Sequence, residues 1–261
     1  MHPVKPLPNP VTNRRTTRAG RYSCMALSAL VAVAVASPAM SYQAGDLFVR
    51  AGAVQVAPDE SSGGIAIPAL DVAAIAGTDA RVDNDTQLGL TLTYMYSHNF
   101  GVELLAATPF EHDITANLDG HTAGLQVPAG STKHLPPTVS AVYYPLADNS
   151  SAVQPYVGAG INYTRFFSED VAPELEALTG VLAAGEGADP IAMKLELDDS
   201  WGLALQLGVD VAFDPQWHLN GSVRWIDIDT KASFSNAGDV ITVGNIELDP
   251  WVYQINVGYT F

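Results

Sequence analysis

Hydrophobic residues in this chain alternate with small or polar ones in eight separate runs, the last of which ends at the final residue. From Trp251 to Phe261, one parity carries Trp251, Tyr253, Ile255, Val257, Tyr259 and Phe261. The other carries Val252, Gln254, Asn256, Gly258 and Thr260. A period of two is the signature of a β-strand with two different faces. About 9–11 tilted residues suffice to cross a bilayer. A large apolar face opposite a small or polar one suits a strand between lipid and a narrow barrel interior.

The earlier runs repeat the pattern. In the first, Asp46 to Ala57, Leu47, Val49, Ala51 and Ala53 oppose Arg50. In the second, Thr86 to His98, Leu88, Leu90, Leu92, Tyr94 and Tyr96 oppose Gln87, Gly89, Thr91, Thr93 and Met95. The third, Phe100 to Asp113, sets Val102, Leu104, Ala106 and Phe110 against Glu103, Leu105 and Ala107. The fourth covers Thr132 to Tyr144 and the fifth Val153 to Phe167. The sixth is the clearest: Trp201, Leu203, Leu205, Leu207, Val209, Val211 and Phe213 oppose Gly202, Ala204, Gln206, Gly208, Asp210 and Ala212. The seventh, Trp217 to Phe234, sets Trp217, Leu219, Val223 and Trp225 against Asn220, Ser222 and Arg224.

Eight is an even number, as bacterial single-chain barrels require. Long and short connections alternate. About 28 residues separate the first two runs and about 30 the fifth and sixth, whereas Asp214-Pro215-Gln216 joins the sixth to the seventh. The pattern predicts an all-β, eight-stranded antiparallel up-and-down transmembrane β-barrel. Its long loops are extracellular, and both termini lie at the periplasmic rim with the tight turns. A secreted lipocalin-like barrel would reverse the faces. Export features, the lack of a cysteine pair and the small residues on the second face favour lipid outside.

Residues 1–41 hold Lys5, Arg14, Arg15, Arg18 and Arg21 and no acid, then an apolar stretch from Met25 to Ala36 and Ser37-Pro38-Ala39-Met40-Ser41. A basic start, a short apolar core and small residues at −3 and −1 define a secretory signal peptide. Cleavage after Ser41 would leave 42–261 as the barrel domain. The apolar core is well short of the ~20 residues of a helical span. Cleavage also removes Cys24, so no disulfide or thiolate metal site is expected. Of 12 basic residues 7 remain beside all 28 acids, a net charge of about −21. Such a charge excludes nucleic acid as a partner. The acids fall mostly between the runs, as in solvated loops facing lipopolysaccharide. Divalent bridging there is a weaker reading, because no calcium-loop spacing occurs.

Chemistry-bearing motifs are sparse. Val157 to Tyr163 contains two glycines at nucleotide-loop spacing, but a third glycine and a following helix are missing. Relief of crowding in a narrow lumen explains those glycines better. His98, His112, His121, His134 and His218 are scattered without ligand-pair spacing. Asp227-Ile228-Asp229 is a possible cation pair, more often the wet end of a strand. No nucleophile motif appears, so an enzyme, a cofactor and a metal are not expected. The second face makes Arg50, Met95, Glu103, Leu105, Gln206, Asp210, Asn220 and Arg224 the candidate lumen wall. Charges enclosed there must be paired. Pro136-Pro137 cannot donate to a sheet ladder and marks a candidate lateral opening. Tyr259 and Phe261 are the candidate signal for the outer-membrane assembly machinery, which reads a terminal aromatic residue.

The strings AGDLFVRAG, TQLGLTLTYM, GVELLAATPFEH, KHLPPTVSAVYY, PYVGAGINYTRFF, DDSWGLALQLGVD, DIDTKA and LDPWVYQINVGYTF occur in that order. Together they strongly resemble the outer membrane protein W family over most of residues 44–261 outside the loops. The resemblance implies a narrow eight-stranded barrel in the cell outer membrane, with a role in passing small hydrophobic molecules. The loops Pro58–Asp85 and Ser168–Leu197 depart from the family, so surface-partner roles of relatives do not carry over. Two classes of function follow. One is a barrel binding or passing small apolar solutes, with lateral release into lipid. The other is a structural or surface-interaction barrel without conduction.

Overall fold

The computed structural model describes residues 41–59, 61–62, 65–66, 78–117, 126–147, 151–236 and 239–261. The expected leader except Ser41, most of the first long loop, His121 and Ser150 lie outside them. No helix of the described residues is long and apolar enough to cross a membrane.

The elements are β1 (Leu47–Ala57), β2 (Ser61–Ser62), β3 (Ile65–Ala66), β4 (Asp79–Val82), β5 (Asp85–Met95), β6 (Phe100–Ala107), β7 (Phe110–Asn117), β8 (Gln126–Leu135) and β9 (Thr138–Tyr143). Then come β10 (Val153–Val171), α1 (Pro173–Ala184), β11 (Lys194–Leu197), β12 (Ser200–Ala212), β13 (Trp217–Ile226), β14 (Asp229–Asn236), β15 (Asp239–Glu247) and β16 (Trp251–Thr260). Eight of these close a ring in the order β1, β5, β6, β9, β10, β12, β13, β16 and back to β1, every pair antiparallel. Closure leaves the spanning part without a sheet edge, as hydrocarbon requires.

The faces follow the alternation. Leu88, Leu90, Leu203, Leu205, Leu207 and Ile255 are exposed on the outer wall, where lipid lies. Aromatic girdles bound this band. At the upper edge Tyr163 lies opposite Trp201, rings 4.6 Å apart, and Trp225 opposite Trp251. At the lower edge are the Tyr96–Phe100–Tyr143 row and the Trp217–Tyr259–Phe261 row. The inner face needs small residues where large ones cross it. A Cβ on Gly208 would run into the Tyr156 ring, and one on Gly258 into His218.

Two expectations need correction. Phe110 points inward, not to lipid, and is buried. Thr108-Pro109 interrupts the strand, so the ladder steps from Leu105↔Thr138 to Phe110↔His134 and parity flips between β6 and β7. Much of what the pattern assigns to the third and seventh loops is also strand. β7 pairs with β8 and β14 with β15, carrying the wall above the upper girdle. One extension joins upper β10, β8, β7 and β4; the other joins β11, β14, β15 and the short β2 and β3. Their outer faces bear Glu111, Lys133, Lys194 and Glu196. This wall therefore stands in water and headgroups and lacks the lipid-facing signature.

Candidate functional site

Inward parity places Arg50 on β1, Glu103 on β6, Gln206 and Asp210 on β12, and Asn220 and Arg224 on β13 at one level of the lumen. Arg50 Nη1 donates to Glu103 Oε2 at 3.0 Å and to Thr93 Oγ1 at 2.9 Å. Its Nη2 donates to Asp210 Oδ2 and Tyr144 Oη, both at 2.8 Å, and its Nε to His218 Nε2 at 3.1 Å. Arg224 Nη2 donates to Glu103 Oε1 at 2.9 Å and also reaches Gln206 Oε1. Gln206 Nε2 donates to the same Glu103 oxygen at 3.0 Å, and Asn220 Nδ2 to Asp210 Oδ1 at 2.8 Å. Two buried cations thus face two buried anions. Such a set is tolerable in low dielectric only because the charges balance and their lone pairs are filled.

Below this layer the lumen is packed. Tyr42, Phe48, Met95, Val142, Tyr144, Ala147, Tyr156 and Ala212 form one apolar cluster. Tyr42 lies 4.4 Å from Phe48 and 4.8 Å from Tyr144, ring to ring, and its hydroxyl donates to Asp210 Oδ2 at 2.8 Å. Met95 belongs to this lower cluster, away from the ion pairs. Leu105 is buried one inward step above Glu103, where it pairs with Thr91 and Thr138. Side chains fill the interior, as the small bore of eight strands allows.

Above the charges comes a collar of Val54, Val56, Phe110, Phe166, Ala204, Ile226, Ile228 and Val252. Over the collar opens a cavity of about 370 Å³, within the range of small-molecule sites. Its wall includes Ile114, Ala129, Phe166, Ala232, Phe234 and Ile246, together with His112 and His134. Neither Met95 nor Leu105 lines it.

Helix α1 contributes Leu175, Leu178, Thr179 and Leu182 to the same cavity. The Ala/Leu/Glu-rich stretch Ala172 to Ala184 favours a helix, and the helix runs from Pro173 to Ala184. Pro173 sits at its first turn, where no N–H is needed. Glu174 and Glu176 face the positive end of its dipole. Glu176 Oε1 also accepts the Met193 N–H at 3.0 Å, tying the helix to the strand that returns to the barrel.

Beside the cavity floor the wall ladder is interrupted. No pairs join residues 106–109 of the β6–β7 stave to 135–137 of the β8–β9 stave. Pro136 and Pro137 occupy this interval. On the other side Pro137 O still accepts the Tyr163 N–H at 3.1 Å, so the interruption faces β6 alone. Pro136 and Pro137 do not line the cavity, but His134 two residues away does.

A separate acidic group sits above the girdle, where Asp227, Asp229 and Asp249 hold carboxylate oxygens within 4.8 Å of one another. Burial and then Asp227 and Glu247 raise the Asp229 carboxyl above its usual range. Burial, followed by Asp227, Asp229 and Glu247, does the same to Asp249, against the bond from the Ile228 backbone. The OmpW family model matches residues 43–261.

The chain belongs to the OmpW family.

It is 39% identical to outer membrane protein W of Vibrio cholerae serotype O1 over 233 residues, 89% of this chain and 96% of that one. The crystal structure of the outer membrane protein OprG from Pseudomonas aeruginosa matches with a TM-score of 0.72 and 41% identity. That match covers 85% of this chain and 98% of OprG. A more distant relative, 25% identical over 187 residues (72% of this chain, 77% of the relative), is the dibenzothiophene metabolism operon protein PahQ of Pseudomonas aeruginosa. Family and fold place the protein in the outer membrane, among barrels that are not enzymes.

Six of the eight lumen candidates converge in one layer, and parity alone selected them. Sequence reasoning missed Tyr42, Thr93, Tyr144 and His218, which complete that layer. It also missed the whole cavity wall above it. The pattern carried the third run to Asp113 but put Phe110 on the lipid face, and it read Ile114 to Asn117 and Gln126 to Ser131 as loop.

Proposed function

We propose that the upper cavity takes up a small hydrophobic molecule at the cell surface and delivers it sideways into the outer leaflet through the wall beside Pro136 and Pro137. The observation that carries this reading is the juxtaposition of an apolar cavity, a sealed layer beneath it and an interrupted ladder at its floor. A route straight down would have to part Arg50 from Glu103 and Asp210, and breaking one buried pair costs about 3–5 kcal/mol. The sideways route has no such charges in the way. Transfer into lipid is favourable by roughly 25 cal/mol for each Å² of apolar solute surface. The acidic polar rim keeps the loops hydrated while the cavity shields the solute past the lipopolysaccharide headgroups. The role in passing small hydrophobic molecules that the family resemblance implies, and the dibenzothiophene metabolism operon in a relative's name, support the same class of cargo.

Residues 1–41 act as the export leader in this reading, and the Tyr259–Phe261 end serves assembly. Phe261 is exposed at the lower girdle, its ring 4.7 Å from Tyr259, and its N–H reaches Leu47 O at 2.9 Å.

Replacing both prolines by alanine restores two N–H donors opposite residues 106–109. Uptake of naphthalene by intact cells should then fall toward the level of cells lacking the protein, at equal amounts of folded barrel. Unchanged uptake would reject the lateral route. Equal uptake with and without the protein would favour a structural or surface-interaction role.

A further inference from the structure

The cavity is lined by apolar side chains, a few threonines and two histidines. His134 and His112 stack at 4.9 Å between centroids, Phe110 lies 5.4 Å from His134 and 6.4 Å from His112, and Phe166 closes on His134 at 5.7 Å. Both histidines line the cavity and are at least nine-tenths buried. His112 Nδ1 lies 2.6 Å from the carbonyl of Asp83, in the wall. A carbonyl only accepts, so in the neutral ring Nδ1 carries the proton and Nε2 keeps a bare lone pair. Nε2 lies across the ring from that wall contact and has no hydrogen-bond partner; neither has His134 Nδ1.

A buried acceptor without a donor is costly, and the other polar groups nearby are already engaged. Thr132, Thr164, Thr179 and Thr230 donate their hydroxyls to protein oxygens. We propose that this pair of imidazoles is a recognition point for a hydroxyl group, so that the preferred solute is a neutral aromatic alcohol or phenol rather than a plain hydrocarbon. The inference rests on the reading of this cavity as the solute site.

The chemistry selects this class. A hydroxyl has one proton to donate to His112 Nε2 and lone pairs for a neighbouring N–H. His134 supplies that N–H in one of its neutral tautomers. A flat ring suits a site beside this cluster of aromatic rings, and the aliphatic side chains of the wall enclose the rest. A carboxylate would be buried without a cation, because Lys133 pairs on the outer face with Glu111 at 3.4 Å and Arg165 is exposed. Burial, then the adjacent His112, push the His134 imidazole down to about 3, so it offers no positive charge at neutral pH.

The test compares 4-ethylphenol with 4-ethyltoluene, which replaces the hydroxyl by a methyl of similar size. Binding is measured to the full barrel in nanodiscs, with empty nanodiscs as the lipid-partition control. The wild-type protein should bind the phenol about tenfold more tightly than the hydrocarbon, the factor that ~1.4 kcal/mol supplies. His112→Phe keeps a ring there and should bring the affinities for the two probes together. In the wild-type protein, 4-ethylphenol should also move the 15N resonance of His112 Nε2, and 4-ethyltoluene should not. This readout does not depend on a variant folding. Equal affinity for the two probes, a preference that survives His112→Phe, or an unmoved Nε2 resonance would overturn the inference and leave the cavity as a hydrocarbon site. Binding of neither probe would overturn the solute site itself.

Discussion

Glu103 is the shared anion of the lumenal layer, and its replacement by glutamine changes charge with almost no change of shape. In the native protein it accepts from Arg50, Arg224, Gln206 and Thr93 at 2.9–3.1 Å. Asp210 still neutralises Arg50 in the variant, but Arg224 keeps only amide oxygens, from Gln206 and Gln254. One cation is then buried without a counter-ion, at a cost of about 3–5 kcal/mol. Arg224→Met leaves the opposite imbalance. The double variant retains a neutral Arg50–Asp210 pair, so its loss should fall short of the sum of the singles by roughly 2–3 kcal/mol. Reversible urea unfolding of barrels in lipid vesicles measures all four proteins, read by the outward-facing tryptophans. A Glu103→Gln variant within about 1 kcal/mol of wild type, or strictly additive single effects, would refute charge balance as the reason this layer exists.

His134 gives a pH signature. Its folded value of about 3 lies below the usual 6.5, so stability is full above pH 6.5 and is lost as pH falls toward 3. The loss reaches on the order of 4 kcal/mol. His134→Phe should flatten that part of the profile, and an unchanged acid slope would show that the ring is not buried neutral. Asp249→Asn removes a carboxyl that burial and the neighbouring Asp227, Asp229 and Glu247 raise above its usual range. The folded-state value is raised, so the relief is present at neutral pH and fades as the pH falls through it. A thermal melt should show a modest gain at pH 7 and a smaller one at pH 4. Asparagine also suits the positive φ of 32° there. Deleting Phe261 should lower the amount of barrel in the membrane far more than Thr260→Ala; similar yields on a heat-modifiability gel would count against a terminal-aromatic assembly signal.

The spanning barrel was legible because lipid enforces alternation: Leu203, Leu205 and Leu207 can only face out if Ala204, Gln206 and Gly208 face in. The same parity brought Arg50, Glu103, Asp210 and Arg224 together, since charges inside a closed wall have few other places to go. Local reasoning failed where the wall leaves the lipid. Around Phe110 the outer residues become Glu111 and Asp113, and Thr108-Pro109 inverts the parity, so the third run kept the wrong face as far as Asp113, the strand beyond it looked like loop and the cavity stayed hidden. Tyr42 could not be placed from pattern, and Tyr144 fell on the inner face without its partners being visible. They join the charge layer through contacts 168 and 94 residues away in sequence, fixed by barrel closure. Helix α1 was visible in composition, but its position over the cavity depends on the tie between Glu176 and Met193.

The most direct measurement of the central claim fills the cavity and leaves the sealed layer alone. Ala232 is a buried residue of the cavity wall on β14, above the upper girdle. Ala232→Trp places an indole in the solute space without touching Arg50, Glu103, Asp210 or Arg224. Naphthalene uptake by cells carrying equal amounts of folded wild-type or Ala232→Trp barrel decides the matter. The account predicts that the filled barrel supports no more uptake than cells without the protein. Uptake at the wild-type rate through the filled barrel would contradict it.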